Sequence, residues 1–173
     1  MTIKQDLQSP ALPDHVELYQ LDLSKLGGET LYFTPHTANG VTSLSFGGQS
    51  YMALPVSGSG WEMAIDGAPP QPTLKVSNIS RFIRPYLTTF NDLVGAKLTR
   101  LQTFTKYLDN GATPNASQVF NTCVYLIEQK TRDTKQEIEF KLSSVIDSPQ
   151  TRLPKGQVLR TIFPGAGLFR KGQ

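Results

Sequence analysis

The sequence predicts a mainly β domain: an antiparallel β-barrel or sandwich of roughly eight or nine strands, with one helix packed across it. Three observations point there. Gly47 and Gly48 stand between two short runs in which apolar and polar residues alternate, and a two-residue hairpin turn of that kind needs positive φ. From Lys97 to Tyr107, and again from Gln136 to Val145, the pattern repeats every second residue, the period of a strand with two unlike faces. A single stretch, Ile79 to Val94, switches to spacings of three and four, the apolar stripe of a helix laid on a sheet.

The elements follow in order. Residues 1–14 are polar and close on Pro10 and Pro13, which reads as an N-terminal arm or a short helix stopped by the first proline. Val16 to Leu23 alternates, with Val16 and Leu18 on one face and Glu17, Tyr19, Leu21 and Leu23 on the other, and reads as a strand. Gly27 and Gly28 break it, and Thr30 to Thr34 is a second strand rich in β-formers. After a loop from Pro35 through Gly40, Val41 to Phe46 and Gln49 to Leu54 form the hairpin. Gly58-Ser59-Gly60 is a bent corner, and Trp61 to Ile65 resumes as a strand. The loop from Gly67 to Pro72 holds three prolines and fits a sheet edge, where missing amide donors do no harm. Thr73 to Val76 is the next strand.

In the helix, Ser80 is the candidate cap, and Phe82, Ile83, Tyr86, Leu87, Phe90, Leu93 and Val94 make the stripe. Pro85 belongs in the first turn or delays the start, and Gly95 ends the helix. Beyond the strand at Lys97 lies a turn-rich loop from Asp109 to Ser117. Phe120 to Glu128 and Gln136 to Val145 form a long hairpin, with Lys130 to Lys135 as a charged connection. In its second arm Glu137, Glu139 and Lys141 face solvent, and Ile138, Phe140 and Leu142 face in. After Ser148 come Pro149, Pro154, Pro164 and four glycines. The chain therefore divides into an arm at 1–14, a β domain at 15–148 and an extended basic C-terminal arm at 149–173.

The net charge of +3 is too small to imply nucleic-acid binding, but its distribution is uneven. Residues 1–66 carry Asp6, Asp14, Glu17, Asp22, Glu29, Glu62 and Asp66 against Lys4 and Lys25. After Asp147 there are five bases, Arg152, Lys155, Arg160, Arg170 and Lys171, and no acids. Two ends of opposite sign suggest two kinds of neighbour. The acidic half, if its carboxylates share a face, would repel DNA moving past it.

No catalytic, cofactor-binding or metal site is expected. Cys123 is the one cysteine, which excludes a disulfide within the chain and any thiolate metal cluster; a small residue buried in a strand is expected there. His15 and His36 sit in proline-flanked stretches, and the carboxylates appear singly. Gly165-Ala166-Gly167 is not followed by Lys-Ser/Thr, so it is not a phosphate loop. No window reaches the length of a membrane span, and the first residues lack the apolar run of a signal peptide. A reducing, soluble compartment is expected. Trp61 is expected to lie largely buried, because the Gly58 and Gly60 backbones let a bulky ring fold back over the sheet.

A set of short segments carries a resemblance. They are Leu21-Asp22-Leu23 with Gly27-Gly28-Glu29 and Tyr32-Phe33, then Gly48-Gln49-Ser50-Tyr51, Gly58-Ser59-Gly60-Trp61-Glu62 and Pro72-Thr73-Leu74-Lys75-Val76-Ser77-Asn78. Leu93-Val94-Gly95, Tyr107-Leu108-Asp109 and Phe140-Lys141-Leu142-Ser143-Ser144 complete it. In order and spacing, from Leu18 to Pro154, these resemble the minor tail protein L family of lambda-like siphophages. The resemblance implies a structural, non-enzymatic virion protein of the tail tip, assembled in the host cytoplasm. It implies a ring-type hub, a homotrimer, between the distal tail protein and the central tip or fibre protein. The tape measure protein would be a further partner, with no membrane partner and DNA only passing through the lumen. The family commonly has a cysteine-rich region holding an iron–sulfur cluster, and no residue here matches those ligands. The alternative reading is a small β-barrel module that binds nucleic acid or a small ligand.

Overall fold

The computed structural model describes residues 3–8, 14–36, 42–62, 71–79 and 81–145. Nine strands run β1 His15–Asp22, β2 Thr30–Thr34, β3 Ser43–Phe46, β4 Gln49–Ala53, β5 Val56–Ser59, β6 Thr73–Ser77, β7 Lys97–Phe104, β8 Asn121–Asp133 and β9 Glu137–Ser144. Two short helices join them, α1 Ile3–Leu7 and α2 Arg84–Thr89. All nine strands bond into one sheet in the order β3-β4-β2-β1-β7-β8-β9-β6-β5. The mainly β expectation holds, in its sandwich-like form: the ladder ends at β3 and β5 and does not close into a barrel.

The pairing is antiparallel except between β2 and β4, which run parallel through Phe33↔Met52 and Thr34↔Ala53. The chain path explains this departure from an all-antiparallel sheet. The β3–β4 hairpin lays its second arm, not its first, against β2. The chain then passes from one end of the sheet order to the other. The Leu54 amide donates to the Thr34 carbonyl at 2.9 Å, and the Pro55 carbonyl accepts from the Ser77 amide at 2.9 Å. One continuous segment thus bonds the Thr34 end of β2 through Leu54 and the Ser77 end of β6 through Pro55. The sheet is folded over so that its two halves face one another.

That folding makes the main core. Tyr19, Leu21 and Phe33 from β1 and β2 share a cluster with Leu74, Val76, Ile138 and Phe140 from β6 and β9. Ile83, Leu87 and Leu93, from and beside α2, close one side of it. A second, smaller core lies on the opposite face of β1, where Val16 and Leu18 meet Leu44, Phe46, Tyr51 and Leu108. β1 is therefore buried on both faces, with the two residue sets separated as its alternation predicts.

α2 starts at Arg84, not at Ile79 or Ser80. Pro85 sets the limit: without an amide hydrogen it belongs in a first turn, so the helix begins just before it. Ile83 occupies the cap position without a side-chain bond, and Ser80 lies outside the described residues. The helix also ends early, at Thr89 and not at Gly95: Asn91, Asp92 and Leu93 take positive φ in a separate 3-10 turn, and Gly95 follows it at φ +85°.

The connection expected at 130–135 is largely strand. β8 runs to Asp133, with irregularities between Ile127 and Gln129 and between Lys130 and Arg132. Its charges are held by local pairs, Arg132 to Glu137 at 2.8 Å and Lys130 to Asp133 at 3.2 Å. The alternation expected in β9 is present, with Ile138, Phe140 and Leu142 buried. Gly58 and Ser59 also belong to a strand, β5, and not to a corner. Trp61 and Glu62 lie beyond its end, outside any strand; the rest of the strand expected at 61–65, like Pro10, Pro13 and the arm at 149–173, falls outside the described residues.

Candidate assembly surface

The inner face of the sheet turns polar at one end. Glu17 of β1, Gln102 of β7 and Asn121 of β8 stand in one rung, and Tyr19, Arg100 and Cys123 in the next. Arg100 donates to Glu17 Oε1, which also receives Gln102 Nε2 at 3.1 Å, and the Tyr19 hydroxyl donates to Oε2 at 2.8 Å. Asn121 Nδ2 extends the network to Gln102 Oε1 at 2.9 Å. Burial pushes the Glu17 carboxyl up, but the Arg100 guanidinium, with Tyr19 and Gln102, pulls it below the ordinary value. A carboxylate filled by donors on both oxygens is a structural anchor and a poor base.

Arg100 lies with its guanidinium 4.7 Å from the centre of the Trp61 ring. Trp61 also packs 5.3 Å from the Tyr125 ring. It is half-buried, less than expected, lying beyond the end of β5 with its ring against the buried Arg100 guanidinium. Gly58 makes this placement possible: a Cβ there would stand 2.2 Å from Trp61 Cζ2. Cys123 is likewise in a strand but only half-buried, donating its thiol to Asn121 Oδ1 at 3.3 Å. His15 is exposed, its ring 6.3 Å from that of His36. Among the described residues no three His, Cys, Asp or Glu side chains come together to hold a metal.

The acid-rich first segment does not present all its carboxylates outward. Asp6 on α1 is buried against Lys106 and Tyr107, whose hydrogen bonds hold it below the usual range. Ile3 N donates to Gln118 Oε1 at 2.9 Å, so the helix of the expected N-terminal arm is docked on the loop after β7. Glu17 is spent on Arg100, and Asp22 accepts from the Ser24 amide at 2.9 Å. Asp14, Glu29 and Glu62 are exposed, and Asp66 lies outside the described residues. Sequence reasoning could not find the two internal pairs, since Asp6–Lys106 and Glu17–Arg100 are far apart along the chain.

The surface instead offers edges and clefts. β3 and β5 end the sheet, and an edge strand is a template for a further strand; on β3 the Ser45 carbonyl already accepts from the Asp109 amide at 3.0 Å. The β3 edge is stiffened at its tip, where Gly47 and Gly48 have φ of +62° and +73°. Asp109 Oδ1 accepts from Gly47 N at 2.9 Å; Oδ2 accepts from Gly48 N at 2.9 Å and from the Ser45 hydroxyl at 2.6 Å. Those donors, Ser45 first, hold the Asp109 carboxyl below the ordinary range. A groove of about 430 Å³ runs beside β5, between Pro35, Pro55 and Lys75. A second cleft, of about 360 Å³, is lined by Asn78, Arg81, Arg84 and Lys135. No described helix is long and apolar enough to cross a membrane.

The comparisons with known proteins agree with this reading. Residues 24–172 match the family described as Phage minor tail protein L, a range that takes in β2 through β9. Over 94 residues the chain is 30% identical to the tail tip protein L of Escherichia phage lambda, a match that covers 54% of this chain and 40% of that protein. The chain thus spans well under half the length of that relative. The match over most of its length shows that the chain is a phage tail protein belonging to the phage minor tail protein L family.

Proposed function

We propose that the chain is a subunit of a ring-type hub at the distal end of the tail tube, between the distal tail ring and the central tip or fibre protein. The observation that carries this reading is the pair of unlike open edges, β3 and β5, on a domain of this family. A closed ring needs a head-to-tail contact, in which one patch of a subunit meets a different patch of the next. Two different edges on one subunit supply two such patches. The ring is a homotrimer in the virion tail tip. It meets the tape measure protein on its tube side and encloses the passage taken by DNA. The basic segment from Pro149 onward reaches to a neighbour. Cys123, alone in the sequence, cannot hold an iron–sulfur cluster, which takes several cysteine ligands.

Light scattering of the purified chain tests this. The hub reading expects a mass rising with concentration to three subunits, and DNA affinity that is weak and nearly flat with salt. A persistent monomer whose DNA affinity falls steeply with salt would contradict it and favour a binding module.

A further inference from the structure

We infer that the cleft between the β6–α2 loop and the β8–β9 turn is a docking site for an acidic peptide segment of a neighbouring tail protein. The inference rests on the proposed assembly role and deepens it. Among the described residues that line it, Arg81, Arg84 and Lys135 are cations and Asn78 is neutral. Neither Arg81 nor Lys135 has an acidic partner among the described residues. Arg84 reaches only Asp133, at 3.7 Å, with its side chain 52% exposed. Like charges gathered around one concavity repel one another, and an arriving carboxylate relieves that repulsion while gaining charge-assisted bonds.

The cleft is built, not incidental. Asn78, 3% exposed, staples its two walls together. Its amide donates to the Gln136 carbonyl at 2.8 Å, its Nδ2 donates to the Thr134 carbonyl at 2.9 Å, and its own carbonyl accepts from Arg81 N at 3.1 Å. The cations therefore stand on backbone that is already ordered, which lowers the entropy lost on binding. Arg81 is also held at φ +54°, a conformation an arginine adopts only when its surroundings impose it.

One feature selects a peptide over a phosphate backbone. Next to Asn78 in the chain, Ile79 is 80% exposed. A large apolar side chain left bare beside a charged cleft fits an interface with a protein and serves nothing in a track for nucleic acid.

The test uses the full chain in assembled tails. A benzoylphenylalanine photo-crosslinker replaces Ile79, the tails are irradiated, and the attached peptide is mapped by mass spectrometry. Attachment to another chain, within a segment carrying two or more Asp or Glu, is expected. The variant Arg81→Glu/Arg84→Glu/Lys135→Glu, checked for an unchanged melting transition, should enter tails about a hundredfold less well, since like charges facing across an interface are strongly unfavourable. Reversing the mapped acids to Lys should restore entry. If the triple variant melts early, Lys135→Glu on the exposed turn carries the same swap. Attachment away from acids, normal entry of the variants, or no rescue by the swap overturns the inference. Lost DNA affinity with normal entry also overturns it and assigns the cleft to nucleic acid. Absence of the unaltered chain from tails would instead defeat the assembly role itself.

Discussion

Replacing Arg100 by Met removes the charge from the buried rung while keeping most of the apolar stem. Arg100 is 8% exposed, and the Glu17 side chain 20%. Breaking a buried ion pair by removing one partner costs about 3–5 kcal/mol. Glu17 keeps the donors of Tyr19 and Gln102 and some contact with water, so the lower end, about 3 kcal/mol, is expected here. That figure includes the stacking of the guanidinium on Trp61, worth about 1 kcal/mol. With a urea slope of about 2 kcal/mol per molar, the unfolding midpoint should fall by about 1.5 M. The pair Glu17→Gln/Arg100→Met should cost less than the sum of its single changes by about 2 kcal/mol. The pH dependence gives an independent readout. In the native chain the Glu17 carboxyl is held below its ordinary value of 4.5. Its contribution is therefore fully present above that value and lost as pH falls through the folded value. Without Arg100 the largest force holding the carboxyl down is gone, and burial opposes only the weaker donors Tyr19 and Gln102, so the carboxyl rises toward or above its ordinary value. The stability gap between native and Arg100→Met protein should shrink as pH falls below about 4.5. Additive costs in the double change, or a gap that does not shrink with acid, would refute the reasoning.

Other outcomes follow from single contacts. Gly58→Ala drives a Cβ into the Trp61 ring and should lower stability by about 1–3 kcal/mol; adding Trp61→Leu should return part of the loss in the same melting assay. Asp109→Asn should speed hydrogen exchange at the Gly47 and Gly48 amides and leave the β7–β8 amides unchanged, and equal rates at the hairpin tip would show that the carboxylate does not hold it. The His15 residue is exposed, but its ring, packed 5.4 Å from that of Phe120, is held below its ordinary 6.5, first by partial desolvation, so the stability it allows at higher pH is lost as pH falls below 6.5; His15→Gln should flatten the stability slope below that pH. Removing residues 155–173 should leave the melting transition intact while blocking entry into tails; a truncated chain that assembles normally removes the role given to the basic segment.

The legible parts of the fold are those fixed by local chemistry. Two consecutive glycines can satisfy a tight hairpin turn in few other ways, and strict alternation left β7 and β9 little freedom. Pro85 bounded the start of α2 because a missing amide hydrogen acts within one turn. The illegible parts depend on partners far along the chain. The charged run expected as a connection at 130–135 is strand through Asp133, where Arg132 meets Glu137 and Lys130 meets Asp133 across and along the hairpin. Nothing local in Leu54 and Pro55 says that one bonds β2 and the other β6. The acids of the first segment look like a solvated wall until Asp6 and Glu17 are seen paired inward. The basic cleft is hidden for the same reason: Arg81, Arg84 and Lys135 become neighbours only when Asn78 draws the β8–β9 turn against the loop after β6.

A reconstruction of the isolated tail by electron cryo-microscopy tests the central claim most directly. The account predicts density for this sheet, with the Leu54–Pro55 crossing and the β3–β4 hairpin recognisable, in three copies around the tail axis at the distal end of the tube. Each copy should contact its neighbour through β3 or β5. A complete tail tip without this density, or the chain located only away from the tip, would contradict it.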